Sequence, residues 1–305
     1  MGVQPEPRVR VVAEGFSFLE SPRWRNGRLY VSDFYLRKVF SISETGERAI
    51  VAEIPGLPSG LGFDRSGGLL VVSMIDRRIL LVRPDGRHEV VADLSSLTPH
   101  LCNDMHVDPA GRAYVGNFGW DSRVTDEISP TRLIMVPYRG PASVVADGLI
   151  FPNGMARYHR GRTLLVAETF AARISAFDIA ADGSLSNRSI WADFAGAGRT
   201  FRTVREASTA DVILPDGIAA DAKGGVWVAD SGGHAAVLVR AGGAIIDEVR
   251  IGPLTPFAVA LGGQEGRTLF ICAAPPLGGR EPDRVFRLEA KLLACEVDIE
   301  ASQDL

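Results

Sequence analysis

The 305-residue sequence predicts an all-β fold, a six-bladed β-propeller closed by its N-terminal strand, with residues 1–305 as one domain. Three observations predict it. A strand, a turn closing on glycine and a second strand recur six times; two further strands follow each recurrence; and a segment shaped like a blade's last strand precedes the first blade.

The turn glycines are Gly27, Gly67, Gly111, Gly161, Gly224 and Gly266. Each leads into an apolar segment: Leu29 to Ser32, Leu69 to Val72, Ala113 to Gly116, Leu164 to Ala167, Val226 to Ala229 and Leu269 to Cys272. These are rich in β-branched or aromatic residues and bounded by turn formers, as strands are. The outer pair is clearest at Arg78 to Val82 and His88 to Ala92, joined by the hairpin signal Pro84-Asp85-Gly86. A β-sandwich does not repeat in units of four strands. The segment Val9 to Gly15 is similar to the fourth strands at Glu89 to Asp93 and Ser143 to Asp147. It is expected to complete the last blade beside Arg284 to Leu288, which would remove the open edge of the array.

In a propeller the first strand of each blade lines the central channel. Eight residues before Gly67, Gly111, Gly161 and Gly224 stand Ser59, Asn103, Asn153 and Asp216; seven before Gly27 stands Glu20, and nine before Gly266 stands Phe257. Five of these six positions carry an oxygen side chain, and ring closure would bring them together. Asn153-Gly154 or Asp216-Gly217 alone would read as a turn. Their shared register before an apolar strand, rather than between two hairpin strands, favours the channel. Carboxylates and amide oxygens gathered without Cys or His suit one hard divalent cation. Ca²⁺ comes first because it tolerates irregular geometry, with Mg²⁺, Mn²⁺ or Zn²⁺ as alternatives.

At these residues the sequence resembles the regucalcin, gluconolactonase and luciferin-regenerating-enzyme family of metal-dependent six-bladed propellers. The matching pieces are Leu19 to Trp24, Asn103-Asp104 leading into Val107 to Arg112, Pro152-Asn153-Gly154, and Pro215 to Ile218 with Gly225 to Ala229. The resemblance implies that Glu20, Asn153 and Asp216 bind the metal, with Asn103 on or beside the open positions. It implies a lactonase-like hydrolase in which the metal polarises the carbonyl and Asp216 or Asp104 activates water. The sequence does not choose between the two acids. Sugar-lactone relatives often carry Arg two residues before the Asn matching Asn103, where this chain has Leu101. Asp121, in Asn117-Phe118-Gly119-Trp120-Asp121, stands near where such relatives place an acid. Leu101, Asn103, Phe118, Trp120 and Asp121 are therefore the expected substrate-binding residues, for a substrate less hydroxylated than a sugar lactone. Two other readings stay open: another metal-dependent reaction such as phosphoester hydrolysis, isomerisation or elimination, or a non-enzymatic metal-stabilised binding propeller.

Long connections at Phe118 to Arg132 and Ala195 to Asp211 are expected to form a rim, with Arg199, Arg202 and Arg205 in the second. His106 and His234 are weighed as proton shuttles and Cys102 as a neighbour of Asn103. With 46% hydrophobic residues the chain can bury a large core, and a net charge of −4 with scattered basic residues leaves no footprint for nucleic acid. No uncharged run reaches membrane-span length, and three cysteines without metal spacing support no disulfide framework. The expectation is a cytoplasmic protein, monomeric or a small homo-oligomer, acting on a small molecule.

Overall fold

The computed structural model describes residues 9–196, 199–276 and 287–302. Their 24 strands form six four-stranded antiparallel sheets. Blades 1 to 5 each use four consecutive strands, beginning with the inner strands Leu19–Arg25, Pro58–Phe63, Cys102–Val107, Pro152–Tyr158 and Pro215–Ala220. Blade 6 takes Thr255–Gly262, Thr268–Ala274 and Ala290–Glu296, and its outer edge is Arg10–Phe16 from the N-terminus. The six-bladed propeller and its closure are as expected; the partner strand is not. It is Ala290–Glu296 rather than Arg284 to Leu288, of which residues 284–286 lie outside the described residues. Burial explains the difference. Leu292 and Leu293 are buried in blade 6, whereas Arg287, Leu288 and Glu289 face solvent.

All six turn glycines adopt left-handed φ, from +68° to +87°, the region in which an L side chain is strained. In blades 2, 3 and 5 an aspartate ends the inner strand and accepts turn amides: Asp64 from Ser66 and Gly68, Asp108 from Arg112, Asp221 from Lys223 and Gly225. Apolar faces fill the space between blades. Between blades 6 and 1, for example, Phe16, Leu29, Val31, Phe40 and Phe270 form one buried cluster, with Trp24 stacked on Phe270 at 5.3 Å.

At the other end of the blades, acids at the ends of second strands catch the chain as it enters the inner strand. Asp33 accepts from Ser17 and Leu36 amides, Asp230 from Leu214, and Glu168 from Ile150. Glu168 is wholly buried. Burial acts to raise its pKa, yet the hydrogen bonds and charge of Arg173, with Ser175 and Arg188, outweigh it and hold the carboxyl below its ordinary value.

The two long connections pack on each other. Ile128 donates to the Arg202 carbonyl at 2.9 Å, Val204 to that of Asp126 at 2.8 Å, and Glu127 bridges Thr203. Thr203 caps the short helix Val204–Ser208 through the Glu206 amide, and Phe201, Ala207 and Leu214 bury beneath it. Among the described residues no helix is long and apolar enough to cross a membrane.

Candidate functional site

Every inner strand breaks register with its neighbour near its start, between Glu20 and Arg23, Pro58 and Leu61, Cys102 and Met105, Pro152 and Met155, Pro215 and Ile218, and Pro256 and Ala258. Such bulges re-aim a side chain out of the pleat. Ser59, Asn103, Asn153 and Asp216 all stand inside them, within strands rather than turns, and Glu20 stands at the edge of one. The glycines that follow serve close approach. A Cβ on Gly60 would lie 2.5 Å from the Met105 nitrogen, on Gly154 2.5 Å from the Asp216 carbonyl oxygen, and on Gly217 2.5 Å from the Ala258 Cα. Adjacent inner strands therefore meet backbone to backbone around the channel.

A chain of hydrogen bonds links the blades at this level. Ser32 Oγ, with one proton, lies within donating distance of the carbonyls of both Glu20 and Ser59, at 3.0 and 2.9 Å; Ser59 Oγ donates to Asn103 Oδ1 at 3.4 Å; Asn103 Nδ2 donates to Asn153 Oδ1 at 3.1 Å. Asn153 Nδ2 in turn donates to Thr169 Oγ1 at 3.2 Å, which donates to the Pro215 carbonyl at 2.8 Å. The belt thus runs from blade 1 to blade 5 and ends beside Asp216. Ser21 and Thr169 were not singled out by sequence. Thr169 carries a recognisable signal, since it follows the second strand of blade 4, level with Asn153.

Three carboxylates gather here. Burial, then the charges of Asp216 and Asp104, push Glu20 well above the usual carboxylate range; burial and then Asp104 do the same to Asp216. Asp216 Oδ1 is buried with no hydrogen-bond partner. Asp104 is differently placed, since its Oδ1 accepts from Ser21 Oγ at 2.7 Å, the Met105 amide at 2.8 Å and Arg23 Nη2 at 3.4 Å. Ser21 reaches it from a left-handed backbone, φ +52°. Among the described residues no three His, Cys, Asp or Glu side chains are arranged as a metal cage. The donor set is mixed, two carboxylates with the Asn153 amide oxygen, which keeps a second lone pair beyond its bond to Asn103. Mutually repelling carboxylates, half-buried at Glu20 and buried at Asp216, an orphaned Asp216 oxygen and an all-oxygen donor set fit a hard divalent cation.

Phe118 follows the second strand of blade 3, and its amide donates to the Leu101 carbonyl at 3.0 Å, so both stand at the end of blade 3 that carries Asn103. Phe118, Trp120, Phe151 and Phe170 form one aromatic group, with centroids 4.7 to 5.8 Å apart. Phe118, Phe151 and Phe170 keep part of their surface, whereas Trp120 is 4% exposed and packs behind them.

Several expected participants are engaged by other neighbours. Asp121 turns to Arg123, with bonds of 2.9 and 2.8 Å, because the short turn brings the guanidinium to it; the hydrogen bonds hold its pKa at about 2. Phe257 is 1% exposed and packs on Phe18 at 4.6 Å, in the core between blades 6 and 1. Arg199 stacks over Phe201, and Arg202 and Arg205 are exposed. Cys102 is buried, which pushes its thiol up to about 12, so it is no nucleophile at neutral pH. His234 Nδ1 lies 2.9 Å from the Leu254 carbonyl. His106, three residues along the strand from Asn103, lines a cavity at the opposite end of the channel.

Residues 18–275 match the protein-family model described as the SMP-30/Gluconolactonase/LRE-like region. A 6-deoxy-6-sulfogluconolactonase of Pseudomonas putida is 25% identical over 285 residues, 92% of this chain and 91% of that protein. Diisopropyl-fluorophosphatase of Loligo vulgaris is 27% identical over 175 residues; that match spans 50% of this chain and about half, 54%, of the relative's length. The solved structure of a calcium-binding protein, regucalcin, from Agrobacterium tumefaciens superposes with a TM-score of 0.75 at 16% identity, covering 95% of this chain and 93% of that one. This last likeness is one of fold.

Proposed function

The chain belongs to the SMP-30/gluconolactonase/LRE-like family, and from that premise we propose that it is a metal-dependent hydrolase opening a lactone or related ester. The observation that carries the proposal is the set of inner-strand bulges bringing Glu20, Asn103, Asn153 and Asp216 to one end of the channel, with Asp216 Oδ1 buried and unpartnered. Glu20, Asn153 and Asp216 would hold the cation, Ca²⁺ first, in keeping with the calcium-binding relative in fold; Asn103 stands beside them. Bound there, the cation would supply Lewis-acid polarisation of the substrate carbonyl.

The chain's own groups divide the remaining work. Asp216 is the proposed general base, since its carboxylate has two oxygens, one to meet the cation and one to take a proton from water. Asp104 is the positioning acid. Its Oδ1 is engaged by Ser21, Met105 and Arg23, and its negative charge raises the proton affinity of Asp216 and Glu20. Asn103 Nδ2 orients Asn153. Leu101 and the partly exposed rings of Phe118, Phe151 and Phe170 would offer the substrate an apolar wall that excludes water, so the preferred substrate is less hydroxylated than a sugar lactone. The fluorophosphatase relative gives a second reading, hydrolysis of an apolar phosphoester or fluorophosphate, which an apolar mouth also suits.

The test is turnover of a matched panel, aliphatic and aromatic lactones, sugar lactones of equal ring size and a dialkyl fluorophosphate, with and without chelator. Chelator-sensitive opening of lactones is expected, with kcat/KM higher for the apolar ones. Undiminished turnover after chelation, or no lactone turnover at all, would sink the proposal; fluorophosphate turnover alone would select the second reading.

A further inference from the structure

The belt of hydrogen bonds around the channel has a direction, and Thr169 sets it. The amides of Asn103 and Asn153 can each present an oxygen or an NH2 group to a given neighbour, because a half-turn of the side chain exchanges the two. A cation is held by the oxygen alone. Most links in the belt could run either way. A serine hydroxyl both donates and accepts, so Ser59 would satisfy Asn103 in either orientation, and Asn103 could turn together with Asn153 and reverse the bond between them.

Thr169 has no such freedom. Its Oγ1 carries one proton and donates it to the Pro215 carbonyl at 2.8 Å, a group that can only accept. Towards Asn153, at 3.2 Å, the same oxygen is left with lone pairs, so it takes the Nδ2 side of the amide and turns Oδ1 towards Asn103. Turning the amide over would set two acceptors face to face or cost Thr169 its bond to Pro215. The hydroxyl is firmly mounted. Thr169 is 2% exposed and opens the short 3₁₀ turn Thr169–Ala171; its amide donates to the Phe151 carbonyl at 3.4 Å and its carbonyl accepts from Ala172 at 3.1 Å. The residue before it is Glu168, itself gripped by Arg173, Arg188, Ser175 and the Ile150 amide. Its two bonds also join two proposed ligands, since Asn153 belongs to blade 4 and Pro215 immediately precedes Asp216 in blade 5.

We propose that Thr169 is a positioning residue of the cation site: with its proton committed to Pro215, its hydroxyl fixes the Asn153 amide so that the oxygen, not the NH2 group, is available to the cation. The inference rests on the reading that Glu20, Asn153 and Asp216 hold a divalent cation. Removing the outer partner of a metal ligand weakens metal affinity by roughly 10–100-fold.

Calorimetric titration of Ca²⁺ into chelator-treated, full-length protein tests the proposal. Thr169→Val keeps the branched shape and removes the hydroxyl, and it should bind Ca²⁺ at least tenfold more weakly than wild type. Thr169→Ser, which keeps the hydroxyl, should bind within threefold of wild type. In an Asn153→Asp background both side-chain oxygens can meet the cation and no orientation has to be chosen, so adding Thr169→Val should cost less than threefold. If Thr169→Val fails to fold, Thr169→Ala takes its place; if Asn153→Asp does not bind, the serine comparison decides. Undiminished affinity in folded Thr169→Val, weak binding by Thr169→Ser, or a full tenfold loss in the Asn153→Asp background would each overturn the inference and leave the cation site standing. Absence of saturable Ca²⁺, Mg²⁺ or Mn²⁺ binding by wild type would instead remove the site itself, and the inference with it.

Discussion

Charge at buried positions divides this molecule into two kinds of site. Glu168 is wholly buried, yet every oxygen is matched: Arg173 and Arg188 approach at 2.9 and 2.7 Å, Ser175 and the Ile150 amide donate, and the carboxyl stays below its ordinary pKa. Asp216 is buried with an orphaned oxygen and a raised pKa. The first arrangement stabilises the fold, and the second leaves a demand for a proton or a cation. Glu168→Gln should therefore cost roughly 2 kcal/mol at neutral pH, less than a fully buried pair because both arginines reach solvent. A pKa depressed by folding contributes stability above the unfolded value, and that contribution is lost as pH falls through the folded value. Denaturant unfolding at pH 7 and pH 3 should thus show the gap between wild type and Glu168→Gln closing in acid. A gap that stays constant would mean that the pair carries no folding-linked proton.

At the scale of the strand, the residues around the channel obey two different glycine rules. The turn glycines need left-handed φ; Gly60, Gly154 and Gly217 have ordinary φ but no room for a Cβ. Gly27→Ala meets nothing within 4 Å and should lose only the backbone term, roughly 1–2 kcal/mol. Gly217→Ala would press on the Ala258 backbone at 2.5 Å, so it should cost more than Gly27→Ala and also disturb the neighbouring Asp216. Thermal melts together with turnover check this: loss of activity in Gly217→Ala but not in Gly27→Ala is expected, and equal behaviour would contradict the packing rule. Apart from the strand at Ala290–Glu296, expected a few residues earlier, the strands, their order and the channel register were legible in the sequence, because period-two alternation and turn glycines are local signals. The bulges were not, since a register shift exists only between paired strands. Pro58, Pro152 and Pro215, each followed by an oxygen side chain and a glycine, were their visible trace. Nor could spacing show that Asp121 folds back on Arg123, or that Phe257 turns to Phe18; the first depends on the local turn geometry and the second on a contact between the last blade and the first.

For the whole molecule, closure joins these local features into one site. Arg10–Phe16 caps the edge of blade 6, Phe16 meets Phe40 of blade 1 at 5.4 Å, and the inner strands pack around the ring in chain order. Only in a closed ring do Glu20 of the first blade and Asp216 of the fifth come close enough for their charges to interact. The central claim is that these two, with Asn153, hold one divalent cation on which turnover depends. Its most direct measurement is the melting temperature of chelator-treated protein as Ca²⁺ is added back, with lactone turnover followed in parallel, for wild type and Asp216→Asn. Binding to the folded state alone stabilises by about 2.7 kcal/mol at a hundredfold excess over Kd. Wild type should gain several degrees and recover activity over the same concentration range, while Asp216→Asn gains neither. Equal stabilisation of the variant, or activity indifferent to Ca²⁺ and other divalent ions, would contradict the claim.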